Sequence, residues 1–495
     1  MIERLIIKNF RSIKEIDIKL GQVNAFIGPN NAGKSNIMDA LNLILGETYP
    51  TIHTFRDKDF HDYDTSKPIE IEVRFDRCLA ASPRVRGSPL EVWGFRLEYD
   101  GNNCDFVAIN QNGQTLTWPN GRDVRISNEM KDEVLLMYLG LDRQAHQQIK
   151  PTQSTVYGKL LKHIEKKIDV TNKEKFKSDV GSTYESTIAP YLKTVIDTTK
   201  EFIKKQTGLD LDFRLSVVDP IETLKNLRPY FREPDATLDF GAEDVGAGIQ
   251  SALAIAIART YSQIVRRSLA LAIEEPELYL HPHACRHFYR LLLESARDGV
   301  QIFYTSHERS FVDLINYQNI HLVRKASGET YVISGNSFSL SLSETTRIAS
   351  KFDDTLNEVF FANCVVLTEG FTDKIAARCA LEKLGIDLDK ENISIVDCGS
   401  RDSIPDIAKI LSNFRVPCYA LIDEDPGNTQ TQTLIERVRS LLGNENVFLQ
   451  SPNLEGLFGL RTQLDKKEAL EFFPKWFQNN NPPVLYVNLK KQMGY

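Results

Sequence analysis

Residues 25–45, "AFIGPNNAGKSNIMDALNLIL", decide the fold of the N-terminal part of the chain. They predict a buried strand, a glycine-flanked loop and a helix. The loop from Gly28 to Ser35 matches G-x-x-x-x-G-K-[ST] at every position, the pattern of a P-loop that binds nucleoside triphosphates. Gly28 and Gly33 permit a tight wrap in which backbone amides face phosphates, so Lys34 should reach the β- and γ-phosphates and Ser35 should ligate Mg²⁺. The predicted nucleotide contacts of this segment are Asn30, Asn31, Ala32, Gly33, Lys34, Ser35 and Asn36.

Length and composition indicate an ordinary globular protein. The 495 residues allow two or three domains, and 42% hydrophobic with 26% charged residues is typical of soluble proteins. No run of about 18 apolar residues occurs, so we expect no membrane partner. Seven cysteines without a C-x-x-C pair predict neither a zinc ribbon nor a disulfide framework, and they favour a cytoplasmic location. The net charge of −7 does not exclude nucleic acid, because local basic patches decide such binding.

A second acidic anchor for Mg²⁺ follows in "SLALAIEEPELYLHP", residues 268–282, where an apolar strand ends in two glutamates. Glu274 should hold the metal or its water, and Glu275 should polarise the attacking water. For Glu277 in the same segment, local pairing is the simpler interpretation.

Two more segments complete a recognisable order. Gly246 and Gly248 in "VGAGIQSALAIA" begin a predicted helix, and His307 ends the strand "FYTSH". With the P-loop and E-E-P-E, this order resembles the ABC/SMC-like ATPases. The resemblance implies that Gly246 and Gly248 contact the γ-phosphate held by the other subunit, that His307 is the switch histidine, and that ATP is sandwiched between two heads. It therefore implies a homodimer or a higher even homo-oligomer.

The composition shifts near residue 145. Seven lysines lie between Lys159 and Lys177, and Leu160, Ile164 and Ile168 recur at helical spacing. This segment is either a solvated amphipathic helix or a basic face that touches DNA. The insertion at 145–230 is also the candidate dimerisation element.

Beyond residue 360, short apolar strands alternate with helical segments, which predicts a small parallel α/β domain. "VVLTEGFTDK" supplies Glu369 and Asp373, and "ALIDEDPGN" supplies Asp423 and Asp425. Strand alternation would put Asp423 and Asp425 on one side, with Glu424 turned away. "SPNLEGL" adds Glu455.

The carboxyl ends of parallel strands meet at one edge of a sheet, where sites form. Carboxylates there are suited to Mg²⁺ or Mn²⁺, and two such ions could activate water and stabilise the leaving oxygen in phosphodiester cleavage. Asp397, in "IVDCGS", either pairs locally or helps to shape the site. The predicted catalytic and metal-binding carboxylates are Glu369, Asp373, Asp423, Asp425 and Glu455.

The set E-G-x-x-D, D-x-D and L-E-G resembles a TOPRIM domain, and an ABC/SMC-like ATPase followed by TOPRIM on one chain is similar to the OLD (overcoming lysogenisation defect) nucleases. The segment 55–76, "FRDKDFHDYDTSKPIEIEVRFD", shares in this resemblance. It implies metal-dependent nicking or cleavage of DNA, antiphage defence as in the Gabija nuclease subunit, and a helicase-like partner protein. The expected fold class is α/β: an ATPase head at 1–345 with a helical insertion, a TOPRIM domain at 355–460, and a tail at 461–495 that completes or flanks it.

The tail departs from the family pattern. Members commonly carry a lysine beyond the last carboxylate, where it can stabilise transition-state charge. Here Lys475, Lys490 and Lys491 are available without a motif around them, and we take Lys490 as the candidate.

The leading hypothesis is an ATP-regulated, metal-dependent DNA endonuclease, and the motifs leave open whether ATP activates or inhibits cutting. One alternative is an ATP-driven DNA clamp or sensor with a catalytically silent TOPRIM domain, which would show DNA-stimulated ATPase without cleavage. Another is a scaffold that acts through a partner effector, whose activity would survive loss of the carboxylates.

Overall fold

A computed structural model describes residues 1–141, 150, 152, 155–207, 209–210, 220–232, 238–265, 268–278, 280–352 and 356–495. Its principal strands are β1 (Ile2–Phe10), β2 (Ile13–Lys19), β3 (Val23–Ile27), β4 (Ile69–Phe75), β5 (Gly94–Tyr99), β6 (Cys104–Ile109), β7 (Val134–Leu139), β8 (Ser268–Glu274), β9 (Val300–Ser306), β10 (Ile320–Ala326), β11 (Glu329–Ser334), β12 (Cys364–Thr368), β13 (Ile393–Asp397), β14 (Cys418–Asp423) and β15 (Val447–Gln450). Two-residue ladders pair Arg84–Val85 with Ser88–Pro89 and Tyr230–Phe231 with Phe240–Gly241.

The α-helices in these ranges are α1 (Lys34–Leu45), α2 (Asn128–Glu133), α3 (Val156–Glu165), α4 (Val170–Thr187), α5 (Ala189–Thr207), α6 (Pro220–Leu224), α7 (Ala247–Val265), α8 (Pro282–Arg297), α9 (Leu342–Ala349), α10 (Phe371–Lys383), α11 (Ile404–Asn413), α12 (Thr429–Leu442), α13 (Leu454–Leu457), α14 (Lys466–Asn479) and α15 (Val484–Gln492). None of the described helices combines the length and apolar character needed to cross a membrane.

The N-terminal sheet is antiparallel, with the strand order β2-β1-β4-β5-β6. Its inner face is apolar because alternate residues of each strand point the same way, as Leu5 does opposite Ile18 and Val73. Helix α1 packs its buried side, including Ile37 and Leu41, into the core between this sheet and the next one. The P-loop helix is therefore held on both sides.

The central sheet has the order β11-β10-β3-β9-β8-β7, and all neighbours except β11 and β10 run parallel. The strand before the P-loop, the strand ending in Glu274 and the strand leading to His307 are thus adjacent. Their carboxyl ends lie at one edge, where ligands bind in parallel sheets. Helices α3, α7 and α8 contribute to the core on the face opposite α1.

The third sheet is fully parallel, with the order β13-β12-β14-β15. Helices α11 and α12 pack on one face, and α10, α14 and α15 pack on the other. The core under α11 and α12 continues into the core of the central sheet through Leu356, Val359 and Phe360. The α/β fold class expected from the sequence is confirmed.

The lysine-rich part of the insertion differs from the single helix that its apolar spacing predicts. Helix α3 ends at Glu165, and α4 starts at Val170 after Asp169, whose side chain accepts the amide of Asn172 as an N-cap. An N-cap aspartate starts a new helix because its carboxylate satisfies a free amide of the first turn. Ile168 therefore lies in the break between two helices. The predicted boundaries at residues 145 and 355 fall outside the described residues.

Candidate functional site

The P-loop backbone approaches its neighbours closely. Gly28 and Gly33 have φ angles of +149° and +105°, which favour glycine. A Cβ on Gly28 would lie 2.1 Å from the carbonyl oxygen of Val323, and one on Gly33 would lie 2.2 Å from Thr330 Oγ1. Both contacts come from the β10–β11 hairpin, so this hairpin fixes the shape of the loop.

Lys34 is folded back over the loop. Its Nζ donates hydrogen bonds to the carbonyl oxygens of Gly28 (2.8 Å) and Pro29 (2.9 Å). Burial lowers the pKa of this ammonium, and the acidic side chains of Glu275 and Glu277 oppose that shift. The cation is thus desolvated and held against the backbone of the P-loop.

Ser35 and Glu274, distant in sequence, are in contact. Ser35 Oγ donates to Glu274 Oε2 at 2.6 Å, and the Tyr138 hydroxyl donates to Glu274 Oε1 and to Asp39 (3.3 Å). Burial raises the pKa of Glu274, although the bonds from Ser35 and Tyr138 oppose the shift. A serine hydroxyl beside a buried carboxylate is an oxygen pair of the kind that Mg²⁺ prefers.

Glu275, Glu277 and His307 form the next cluster. Glu275 has φ of +43°, and its amide donates to both oxygens of Thr305. His307 Nδ1 lies 3.5 Å from Glu275 Oε1 and 3.5 Å from Glu277 Oε1. Glu277 accepts hydrogen bonds from Ser306 Oγ (2.9 Å) and the His307 amide (3.0 Å), in agreement with local pairing. A non-glycine residue in the left-handed region is uncommon, and here it turns the predicted base toward the predicted switch histidine.

The other predicted nucleotide contacts are placed differently. Asn30 and Asn31 are exposed on the loop, while Ala32 is buried and its carbonyl accepts from Thr330 Oγ1 at 2.8 Å. Asn36 Nδ2 donates to Ser12 Oγ at 2.7 Å, so its side chain faces the first hairpin.

The glycines of the predicted signature lie at the start of α7. Gly246 precedes the helix, and a Cβ on Gly248 would lie 2.7 Å from Leu280. Leu280 follows β8, so this contact places the N-terminus of α7 near the end of β8 that carries Glu274.

Four of the five carboxylates of the second site lie at the ends of strands of the third sheet or in the first turns of helices of the same domain. Glu369 follows β12, Asp373 lies in the first turn of α10, Asp423 ends β14, and Glu455 lies in the first turn of α13. Glu369 Oε1 accepts the amide of Asp423 at 2.9 Å. Carboxylates that the sequence separates are thus brought to one edge.

Gln450, the last residue of β15, links two of them. Its Nε2 donates to Asp373 Oδ1 (2.6 Å) and Asp423 Oδ1 (3.2 Å), and the Tyr486 hydroxyl donates to its Oε1 (3.3 Å). Asp423 Oδ1 also accepts the Leu454 amide at 2.9 Å. The side chain of Gln450 is fully buried, so these bonds hold the two carboxylates in fixed positions.

The pKa values of these carboxylates are raised because several negative charges are buried close together. Burial first, and then the nearby carboxylates, raise the pKa of Asp423 to about 8 and that of Glu369 to about 7. Burial also raises the pKa of Asp373, with Glu455 adding to the effect. Buried carboxylates that repel one another create a site that a cation stabilises.

Asp425 reaches the site by a route that strand alternation does not describe. Strand β14 ends at Asp423, and Asp425 has φ of +41°, so the alternation argument fails beyond the strand. The side chain of Asp425 instead pairs with Arg401, whose Nη1 lies 2.5 Å from Asp425 Oδ2. Asp397 pairs locally, since its Oδ1 accepts the amide of Gly399 at 2.8 Å.

The structure does not bring Lys490 to the carboxylates. Its Nζ donates to the carbonyl oxygen of Leu384 at 2.7 Å, at the C-terminal end of α10. Asp373 lies at the opposite end of this helix, about 16 Å away at 1.5 Å per residue. The expectation that Lys490 supplies the cation of the site is therefore wrong: α15 reaches the site through Tyr486, whereas Lys490 lies one turn further along, at the C-terminal end of α10.

The carboxylates fit hard divalent cations in chemistry and charge, since all their donors are oxygens in a partly buried, electronegative site. In the described ranges, no three acidic, histidine or cysteine side chains already converge on one point closely enough to hold an ion. Gln450 donates to Asp373 and Asp423, and Arg401 donates to Asp425.

Sequence reasoning missed three residues of the two sites: Tyr138, Gln450 and Arg401. Tyr138 contacts Glu274 from a neighbouring strand, and no motif surrounds it. Gln450 and Arg401 had a usable signal, because each ends or closely follows a strand of the parallel sheet at its carboxyl edge.

Family models match two parts of the chain. An AAA ATPase domain matches residues 1–207 and 135–312, and the TOPRIM domain of overcoming-lysogenization-defect-like proteins matches residues 360–425. The two matches carry the P-loop site and most of the carboxylate site, respectively.

Relatives match most of the chain. An OLD nuclease from Thermus scotoductus is 30% identical over 98% of this chain and 96% of its own length. The Old nuclease of Escherichia phage P2 is 24% identical over 85% and 76%, and Endonuclease GajA of Bacillus cereus is 21% identical over 76% and 67%.

Proposed function

Since the chain belongs to the OLD nuclease family, we propose that it is an ATP-regulated, divalent-metal-dependent DNA endonuclease that acts in antiphage defence. Family membership makes the chain a nuclease with an ATPase domain, and these domains imply use of a nucleotide and a divalent metal. The inferred parts are DNA as the substrate, Mg²⁺ or Mn²⁺ as the ion, and control by ATP. The observation that carries them is the cluster of five carboxylates at the edge of a parallel sheet, on the same chain as a P-loop in contact with Glu274.

ATP would be bound by the P-loop, with Lys34 on its phosphates and Ser35 and Glu274 around Mg²⁺. Glu275 is the base that would orient the attacking water, and its separation of 3.5 Å from His307 supports a joint response of the two residues to the γ-phosphate. Gly246 and Gly248 would act on the nucleotide of a second copy.

In the nuclease site, Glu369, Asp373, Asp423, Asp425 and Glu455 would hold the ions. When bound, divalent ions supply an activated water and charge stabilisation for phosphodiester hydrolysis. Gln450 and the Leu454 amide keep Asp423 in place, which limits the number of arrangements the site can take. Burial and the neighbouring carboxylates raise the pKa values of Glu369 and Asp423, so a divalent cation bound here would relieve the repulsion between these carboxylates.

The dimer is proposed through the hairpin of α4 and α5. Ile188, Leu192, Val195 and Phe202 are 39–63% exposed and follow one another at intervals of four, three and seven residues. This spacing makes an apolar seam of the kind that pairs helices, and α4 has no buried residue among those described. A second copy is the occupant that the signature glycines also require.

The same proposal includes the domain limits 1–345 and 355–460, with the tail at 461–495. Packing of Phe473, Phe477 and Tyr486 beneath the third sheet supports a tail that completes the nuclease domain. A cytoplasmic location is supported by the seven cysteines, all of which are free thiols. The family resemblance extends the proposal to a helicase-like partner, for which co-purification is the test.

The test is cleavage of supercoiled plasmid by purified protein with Mg²⁺ or Mn²⁺, with and without ATP. Wild type should nick or cut, and Asp423→Ala/Asp425→Ala should not, while its ATP binding persists. Lys34→Ala should lose ATP turnover and any effect of ATP on cutting. Retained cutting by the double variant would move the nuclease site elsewhere.

The clamp and scaffold alternatives predict different outcomes in the same assays. DNA-stimulated ATPase with no cleavage under any condition would favour them. Activity that needs a partner chain and survives loss of the carboxylates would favour the scaffold.

A further inference from the structure

The turn after β13 presents a cation to the carboxylate edge. The Asp397 carboxylate accepts the amide of Gly399, Ser400 Oγ and Ser403 Oγ are 3.2 Å apart, and Ser403 is buried. Arg401 lies inside this braced turn. Its position is therefore set by the backbone and not by a long flexible loop.

Arg401 has two anchors at the site. Nη1 donates to Asp425 Oδ2 (2.5 Å) and to Thr431 Oγ1 (2.8 Å), and Thr431 is 1% exposed in the first turn of α12. Both bonds use one nitrogen of the guanidinium fork. The fork has two further nitrogens, and planar bidentate donation to phosphate oxygens is the geometry for which arginine is suited.

The charge balance singles out this residue. Across the described ranges, the pair between Arg401 and Asp425 is the one salt bridge made by any of the five carboxylates. The guanidinium also acts on Glu369, where its positive charge opposes the effect of burial. An approaching phosphodiester is an anion that meets five carboxylates, so a cation here lowers the repulsion it encounters.

The side chains of Arg401 and Asp425 are 36% and 30% exposed, respectively. Asp373, by contrast, is only 8% exposed. The Arg401–Asp425 pair thus forms the open side of the site, where a substrate phosphate arrives first.

We propose that Arg401 is the phosphate-binding residue of the nuclease site. It neutralises Asp425 before DNA binds, and it donates to a non-bridging oxygen of the DNA phosphodiester once DNA occupies the carboxylate edge. Thr431 keeps the guanidinium in the site when Asp425 turns to other partners. This role rests on the proposed nuclease function, and it replaces the cation that chain order assigned to Lys490.

The test compares Arg401→Gln, which removes the charge, with Arg401→Lys, which keeps the charge but loses the fork. Arg437→Gln is the matched control, since Arg437 is an exposed arginine of the same domain, on α12. In plasmid cutting with saturating metal, Arg401→Gln should lower kcat by about 10²–10³, the loss typical of removing one donor to developing charge. Arg401→Lys should recover part of this loss, and Arg437→Gln should match wild type.

A second readout does not need cleavage. Binding of a fluorescent duplex is measured by anisotropy in Ca²⁺ over a range of salt concentrations. Loss of one phosphate contact should reduce the slope of log K against log[salt] by about 0.9 in Arg401→Gln relative to Arg437→Gln. A purely structural role in holding Asp425 would leave this slope unchanged.

The outcomes separate the two claims. Cutting by Arg401→Gln at the rate of Arg437→Gln, or an unchanged salt slope, overturns the phosphate role while the nuclease assignment stands. If neither wild type nor Arg437→Gln cuts DNA, the proposed function fails, and the salt slope alone then decides whether Arg401 contacts phosphate. Thermal unfolding and ATP turnover equal to wild type exclude a folding defect.

Discussion

Arg324 joins the central sheet to the segment that leads into the third sheet, and replacing it should weaken this connection. It lies on β10, next to Val323, whose carbonyl faces Gly28 of the P-loop. Its guanidinium, with the residue only 6% exposed, donates to the carbonyl oxygens of Ala362 (2.6 Å) and Phe360 (3.4 Å). Ala362 lies two residues before β12, the strand that ends next to Glu369. One side chain therefore bonds the sheet that carries the P-loop to the segment that leads into β12.

The size of the effect follows from these contacts. Arg324→Met keeps most of the stem and removes the donors. The short bond from a charged donor is worth about 1.5–3 kcal/mol, the 3.4 Å bond adds little, and two buried carbonyls are left unsatisfied. Burying the charged guanidinium is itself unfavourable, because burial lowers the pKa of Arg324 and its Nε has no partner among the described residues. Removing the charge therefore offsets part of the lost stability. We expect a net loss of about 2–3 kcal/mol in the free energy of unfolding.

The assay is urea unfolding followed by tryptophan fluorescence, since Trp93 and Trp118 report on the N-terminal domain and Trp476 on the C-terminal one. The matched control is Arg297→Met, a change at an exposed position in the last turn of α8. Arg324→Met should also keep ATP turnover but lose the change in DNA cutting that ATP causes, a coupling of about 1–3 kcal/mol in typical proteins. If Arg324→Met unfolds at the same urea concentration as Arg297→Met, the energetic argument is refuted. If Arg324→Met is destabilised but ATP still changes its DNA cutting, the proposed coupling through Arg324 is refuted.

Three further outcomes are expected. Lys490→Ala loses its bond to Leu384, costs about 1 kcal/mol and leaves plasmid cutting unchanged; a loss of about 10² or more in a folded variant would return Lys490 to the site. Leu192→Glu should give a monomer in light scattering, because it places a charge in the apolar seam, whereas Lys193→Glu should not; a Leu192→Glu dimer would rule out the seam. Burial lowers the pKa of His321 to about 3. Between pH 6.5 and pH 3 this imidazole is therefore protonated in the unfolded chain but not in the folded one, so the free energy of unfolding decreases as pH falls. At pH 5 the loss is about 2 kcal/mol relative to pH 7, and it should be absent in His321→Gln; parallel acid curves for the two proteins would contradict it.

The nucleotide site was largely predictable because its geometry is local or follows from strand adjacency. Eight consecutive residues define the P-loop, and the contact between Ser35 and Glu274 follows once β3 and β8 belong to one parallel sheet. Tyr138 could not be foreseen in the same way. It reaches Glu274 from β7, and only the strand order of the sheet puts it there.

The carboxylate site shows where periodicity stops being informative. Alternation places side chains only while the chain stays extended, and it is lost at Asp425, whose φ of +41° follows the end of β14. Periodicity also fails in the insertion. Apolar spacing predicts one helix through Ile168, whereas the N-cap at Asp169 starts a second helix. In both places a local backbone preference overrides the pattern around it.

The cation of the nuclease site depends on topology rather than on order along the chain. Lys490 follows the last carboxylate in sequence, yet α15 carries it to the far end of α10. Arg401 precedes Asp423 and Asp425, and it follows an edge strand, β13, which pairs with β12 and not with β14. The turn after β13 nonetheless spans the end of β12 to reach Asp425 and Thr431, because the carboxyl ends of all four parallel strands share one edge. A charged residue just beyond any strand of such a sheet is therefore a stronger candidate for the site than one placed last in the sequence.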